Sequence, residues 1–219
     1  MPTFINMEEY PRRDHFRYFC TLSNPFVSLT VPVDVTGLAA ACKAKGVSFY
    51  LAVIHAVANA ANAVPQFRQR VRGDGIVQYE CCITSHIELL EDDTYCYCNL
   101  QHDELLADYF TKAEAARAAA RSHATIEEDA ADAESMFFVS NLPWLHYTSL
   151  SEPTGSDSNP RFSWGKYEAD HLGRLMMPLS VTAHHGLVDG VHISRFYQQL
   201  EEQFQRIAQE MVQESEANG

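Results

Sequence analysis

No stretch of this 219-residue sequence approaches the run of roughly 18 apolar residues that a membrane-spanning helix needs. A membrane partner is therefore not expected. The opening residues, MPTFINMEEY, hold no apolar signal core and include acids, so no export signal is expected either. Basic residues are scarce. Lys and Arg total 16 against 29 Asp and Glu, for a net charge of −13. So acidic a chain is a poor match to nucleic acid, whose phosphates want a basic face. The six cysteines, Cys20, Cys42, Cys81, Cys82, Cys96 and Cys98, include no C-x-x-C pair. That removes the usual zinc and redox spacings, and no metal is expected. Free thiols of this kind suit a reducing cytoplasm, the compartment they predict. Gly73-Asp74-Gly75 is turn chemistry and no phosphate cradle, because nothing around it resembles a P-loop.

What is present suits one α/β domain over residues 1–219, with 46% hydrophobic residues to fill a core. Residues 8–19 read as a short helix with Pro11 in its first turn. Over 26–35, Val27, Leu29, Val31 and Val33 alternate with Ser28, Thr30 and Pro32, which predicts a strand near a sheet edge. Asp34 or Thr36 can cap the helix that follows to about Lys45, and Ser48 can cap a largely buried helix over 49–63. A hairpin spans 69–79, and strands are expected over 83–90 and 94–100. His86 and His102 are expected to face solvent or an interface. An alanine-rich helix covers 104–123 and an acidic loop 126–135. Strands resume at 136–139 and 161–167, on either side of the polar loop 149–160. In the last helix Phe196, Leu200, Phe204, Ile207 and Met211 keep helical spacing, which predicts an end near Met211 and a fraying tail.

Residues 181–190, VTAHHGLVDG, concentrate the chemistry. An apolar strand leads into adjacent histidines, and a helix leaves after Asp189-Gly190. A strand end opening into a helix is a rigid frame for reactive side chains. A neutral imidazole can take a proton from a hydroxyl near pH 7. Asp189 can anchor the turn by charge-assisted bonds or can serve only as a helix cap.

The segment HHGLVDG resembles the HHxxxDG signature of CoA-dependent acyltransferases. Three further stretches are similar to the chloramphenicol acetyltransferase family: YPRRDHF (10–16), MFFVSNLPWLHYTS (136–149) and FSWGKY (162–167). They stand in the family's order, and the likeness covers nearly the whole chain. HHxxxDG alone is shared with dihydrolipoyl transacylases and condensation domains, whereas the four together are far more specific.

The resemblance implies an α/β two-layer sandwich, a mixed sheet with helices packed on one side. It implies acetyl-CoA as co-substrate and O-acetylation of a small hydroxylated acceptor such as chloramphenicol. It also implies a homotrimer with sites between subunits. His185 would be the general base and His184 structural. Asp189 would pair with Arg12 to hold the turn, a direct relay to His185 being the second possibility. Ser140 would donate to the oxyanion of the tetrahedral intermediate, the alternative being a serine bonded to backbone. Ser163, grouped with Lys166 at the cofactor end, stands where the family usually has threonine, and its hydroxyl would keep a water-bridged role in the transition state. Lys166 could neutralise CoA phosphates or be a surface lysine, and Lys43 and Lys45 are weaker candidates. The polar segment 151–160 and residues 22–27 depart from the family's acceptor-contacting residues. Tyr18, Phe19, Tyr95 and Phe138 are expected to supply replacement surface. Other readings are a dihydrolipoyl-type transacylase and a catalytically silent CoA-binding protein.

Overall fold

The computed structural model describes residues 2–102, 105–127 and 130–217. Its elements in order are β1 (Thr3–Phe4), α1 (Arg13–Phe19), β2 (Phe26–Asp34), α2 (Thr36–Lys45), α3 (Phe49–Ala63) and a 3-10 turn (Pro65–Arg68). The hairpin β3 (Gln69–Arg72) and β4 (Gly75–Gln78) follows, then β5 (Ile83–Leu89), β6 (Tyr95–Leu100), α4 (Leu106–Ser122) and α5 (Ala130–Ala133). The chain closes with β7 (Met136–Leu142), β8 (Arg161–Gly165), β9 (Glu168–Ala169), β10 (Leu175–His184) and α6 (Gly190–Ala217).

The main sheet runs in the order β2-β10-β8-β7-β5-β6, with β9 beside β10. It is mixed: β7 is parallel to β5 and β8, and the other pairs are antiparallel. The hairpin stands apart, joining β1 in a small second sheet. Helices α2, α3 and α6 pack on one another, and α4 lies against β5 and β6. This is the expected two-layer sandwich.

Strand alternation decides the two faces of the sheet. Met177, Leu179, Val181 and Ala183 of β10 are fully buried in the core with Phe162 and Trp164 of β8. Phe162 meets Phe196 of α6 at 4.8 Å, and both meet Phe67 at 5.6 Å. The opposite face is rich in hydroxyls. Thr30 pairs with Ser180 at 2.7 Å and Ser28 with Thr182 at 3.0 Å, across the β2–β10 ladder. Loop 143–160 partly covers this face, and the Tyr147 hydroxyl donates to the Ser163 carbonyl at 2.9 Å.

Local chemistry sets the helix ends. Ser48 Oγ accepts from Leu51 N at 3.3 Å and caps α3, and Pro65 follows its last turn. Asp34 Oδ1 accepts from Thr36 N at 2.9 Å, and α2 closes on Gly46 in the left-handed region at φ 67°. Strand β2 is the expected edge strand.

Several expectations need correction. Helix α1 begins at Arg13 and not at residue 8, because Pro11 disfavours helical backbone at Tyr10 before it. Helix α6 continues past Met211 to Ala217. Residues 130–133 within the expected acidic loop are helical, while 128 and 129 lie outside the described residues, as does 104 at the start of the alanine-rich helix. His86 and His102 do not face solvent: they are 0% and 6% exposed. His86 Nε2 lies 3.1 Å from Glu88 Oε1, beneath α4, and His102 Nε2 lies 3.0 Å from Asn62 Nδ2. A polar side chain inside a core is stable when it is hydrogen-bonded, and a single histidine in a pattern carries no mark of its partner.

Candidate active site

Strand β10 delivers the two adjacent histidines to the end of the sheet. His184, its last residue, is buried, and burial lowers its pKa, with His185 adding to the effect. Its Nδ1 accepts from Gly186 N at 3.2 Å, and its carbonyl accepts from Leu187 and Val188, both at 2.9 Å. The chain therefore reverses within one tight loop. Gly186 is tightly packed: a Cβ there would stand 3.0 Å from the His184 ring, which would have to give by a few tenths of an ångström.

His185 is half-buried and stacked on Phe19 of α1, with ring centroids 4.0 Å apart. Its backbone N donates to Pro25 O at 2.7 Å. Its Nδ1 lies 3.1 Å from Val188 O. A carbonyl oxygen only accepts, so in the neutral ring Nδ1 carries the hydrogen and Nε2 carries the lone pair. The ring is thus fixed in plane, tautomer and direction.

Arg12 reaches this turn from a position 177 residues away in sequence. Its Nη1 donates to Asp189 Oδ2 at 3.0 Å and its Nη2 to the His185 carbonyl at 3.1 Å. The Arg12 hydrogen bond holds the Asp189 carboxyl below its usual range, aided by the bond from Gly190 N to Oδ1 at 2.6 Å. Asp189 makes no hydrogen bond to the His185 ring, whose Nδ1 is engaged by Val188. The geometry therefore favours the anchoring arrangement over the relay. Asp189 also opens α6: its carbonyl accepts from His192 and Ile193, and its N donates to His192 Nδ1 at 2.9 Å. Burial, with Arg12 nearby, pushes His192 down to about 4, which keeps that ring neutral as an acceptor. His192 was not singled out in the sequence, though a His three residues after the motif aspartate was a visible signal.

A separate cavity of about 480 Å³ opens on the hydroxyl face of the sheet, lined among others by Ile87, Tyr97, Phe138, Ser140, Glu152 and Arg161. Ser140 and Ser163 are register partners on β7 and β8, and Ser163 is level with Ser180 on β10. The Ser140 side chain makes no hydrogen bond among the described residues. Ser163 is 1% exposed and donates to Glu152 Oε1. Arg161 donates to Asp157 Oδ2 at 2.8 Å and to Asn159 O at 3.0 Å, and its guanidinium lies over Phe138.

Of the four aromatics expected near an acceptor, Phe138 lines this cavity. Phe19 packs on His185 with Tyr18 edge-on behind it. Tyr95 lies outside the lining, against Tyr97, which is part of it. Lys166 is exposed at the end of β8, tied by its backbone to Leu145 and His146. Gly165 before it admits no side chain, because a Cβ would collide with the Leu145 carbonyl. Glu152 and Arg161 were missed in the sequence. Glu152 lies in an irregular, polar segment where no periodicity shows which side chain turns inward, and Arg161 opens β8, where a single charged residue at a strand start carries no mark of its direction.

The two groups of residues do not meet within one chain. His185 follows Ser180 by five positions, and Ser180 is level with Ser140 two strands away. At about 3.3 Å per residue, His185 is displaced by roughly 16 Å along the strand direction.

The chain is similar to known proteins along most of its length. A model of the chloramphenicol acetyltransferase family matches residues 2–201. A chloramphenicol acetyltransferase of Bacillus pumilus is 27% identical over 198 residues, covering 88% of this chain and 89% of that protein. One of Escherichia coli is 27% identical over 206 residues, covering 91% and 92%. A solved chloramphenicol acetyltransferase, 28% identical, superposes with a TM-score of 0.82 over 93% of this chain and 100% of its own. A probable dihydrolipoamide acetyltransferase from Listeria monocytogenes, at 18% identity and a TM-score of 0.69 over 93% of each chain, shares the fold.

Proposed function

The chain belongs to the chloramphenicol acetyltransferase family, and from that premise we propose that it transfers acetyl from acetyl-CoA directly to a hydroxyl of chloramphenicol or a related small acceptor. Its class is that of an acyltransferase enzyme. The observation that carries the mechanism is the bond between His185 Nδ1 and Val188 O at 3.1 Å, which leaves Nε2 as the basic nitrogen.

In the proposed reaction Nε2 takes the acceptor's hydroxyl proton, and the oxygen attacks the thioester carbonyl. Ser140 donates to the oxyanion that develops. The tetrahedral intermediate collapses, the C–S bond breaks, and the proton passes from His185 to the departing thiolate. No acyl-enzyme forms. Arg12 and Asp189 hold the turn and with it the direction of the ring.

Because His185 and Ser140 are separated in one chain, the reading requires two copies for each site, with His185 of one facing the Ser140 cavity of the next. A closed homotrimer satisfies this. Each copy is a single domain over 1–219. The fit to an acyl thioester rests on the free Ser140 hydroxyl and the exposed Lys166, which would meet the phosphates of CoA. Ser163 serves that end of the site less directly, since its hydroxyl is engaged by Glu152. We place the enzyme in the cytoplasm on its free thiols. No described helix is long and apolar enough to cross a membrane.

The test is steady-state thiol release from acetyl-CoA on addition of chloramphenicol, with His185→Ala as blank. Turnover above that blank is expected. A rate equal to the blank, with acetyl-CoA bound, would show that the chain acetylates a different acceptor.

A further inference from the structure

The cavity beside Ser140 contains a carboxyl group that the acetyl-transfer mechanism does not use. Glu152 stands in loop 149–160, half-buried, with its side chain among the lining residues. Its Oε1 accepts from Ser163. Its Oε2 is shielded from solvent and has no hydrogen-bond partner among the described residues. No ion pair to Glu152 exists among the described residues. Arg161, the guanidinium in the cavity wall among the described residues, is already engaged by Asp157, Asn159 and the faces of Phe26 and Phe138. A carboxylate oxygen withdrawn from water without a donor is costly, and a ligand that draws the Glu152 side chain further into the cavity and supplies the donor recovers that cost.

We propose that Glu152 selects the acceptor, and that the cavity is built for an amino alcohol whose protonated amine binds Glu152 while its hydroxyl is acetylated beside Ser140. The proposal rests on the acetyl-transfer reading of the same site. Three observations carry it. The cavity, at about 480 Å³, has the size of a small-molecule pocket. Its apolar wall, with Ile87, Phe138 and Leu142, accepts a carbon or aromatic skeleton. Its polar groups are spaced for two functions on one molecule. Glu152 is bonded to Ser163, and Ser163 is the register partner of Ser140 on the neighbouring strand. Adjacent strands stand about 4.8 Å apart. An amine on the carbon next to the hydroxyl, or one carbon further on, keeps the two functions within about one strand spacing of each other.

The charge state also directs the chemistry. An amine held as an ammonium has no lone pair and does not attack the thioester. The hydroxyl beside it gives its proton to His185 Nε2, its oxygen bonds to the acetyl carbon, and the thiol leaves with the proton. The ammonium keeps its own protons throughout. Chloramphenicol carries an amide where such an acceptor carries the amine, so it leaves Glu152 Oε2 without a cationic partner.

The test compares chloramphenicol with the free amine of the same scaffold, in which hydrogen replaces the dichloroacetyl group. Binding of each without acetyl-CoA is measured by calorimetry at pH 7, and thiol release is measured in parallel. The amine is expected to bind roughly ten- to a hundredfold more tightly, the range that a charge-assisted hydrogen bond supplies. Raising the salt should narrow the gap. In Glu152→Gln, checked for an unchanged melting temperature, the preference should collapse to within about threefold. Equal binding of the two scaffolds by the unaltered protein, or a preference that survives Glu152→Gln, overturns the proposal. The calorimetric arm separates this from failure of the acetyl-transfer reading, which would remove thiol release while leaving the binding preference in place.

Discussion

Replacing Asp189 by Asn removes one charge and keeps the shape of the side chain. Arg12 Nη1 stands 3.0 Å from Asp189 Oδ2, with the two side chains 17% and 41% exposed. Breaking a buried pair would cost about 3–5 kcal/mol, but this pair is not buried in the chain. Two unit charges near contact attract by about 1 kcal/mol in water and about 4 kcal/mol at an effective dielectric of 20. The open side of Asp189 places the pair near the first figure, and a single contact gives no bidentate gain. The expected coupling is therefore about 1 kcal/mol. Arg12→Ala should cost about 1 kcal/mol more than Asp189→Asn, because it also removes the bond to the His185 carbonyl. The assay is urea unfolding of the parent, both single variants and the double variant, closed as a cycle at pH 7. Arg12 depresses the Asp189 carboxyl, so the stability this group contributes is present above about pH 3.9 and is lost as pH falls below it. Additivity at pH 7 and low salt would refute the anchoring role. A coupling of 3 kcal/mol or more, marked here at roughly the buried-pair range, would refute the exposure argument and place the pair inside an assembly contact.

His185→Ala should lower turnover by about 10²–10⁴-fold in the thiol-release assay, and a loss under about tenfold would show that another group is the base. Ser140→Ala should cost about 10²–10³ in turnover with acetyl-CoA affinity nearly unchanged, and a covalent acetyl group on Ser140, sought by mass spectrometry, would contradict direct transfer. Glu88, 3% exposed, receives bonds from Arg117, Arg121 and His86. Burial raises its carboxyl, but the bonds from His86 and Arg117 outweigh this and hold it at about 2. The stability it contributes, about 3 kcal/mol, is present above about pH 4.5 and is lost as pH falls towards 2. Urea midpoints measured from pH 5 to pH 3 should fall more steeply for the parent than for Glu88→Gln, and parallel curves would refute the effect.

Local patterns carried much of the architecture. The alternation in β2, the Ser48 cap, the hairpin at 73–75 and the spacing from Phe196 to Met211 are set by solvent on one side and core on the other, or by bonds between near neighbours. Each is therefore written within a few adjacent residues. The motif 184–190 and the three stretches that accompany it were legible for the same reason, and they marked the residues proposed for both ends of the site before any contact was known. The tertiary structure decided what depends on distant partners. It brought Arg12 to Asp189, turned His185 Nδ1 towards Val188, buried His86 and His102, and set Glu152 against Ser163. It also separated His185 from Ser140 along the sheet, a distance that only strand register defines. Pairing between strands joins residues far apart in the chain, and a side chain in an irregular loop takes its direction from whatever the sheet places beneath it. Neither has a periodic trace in the sequence.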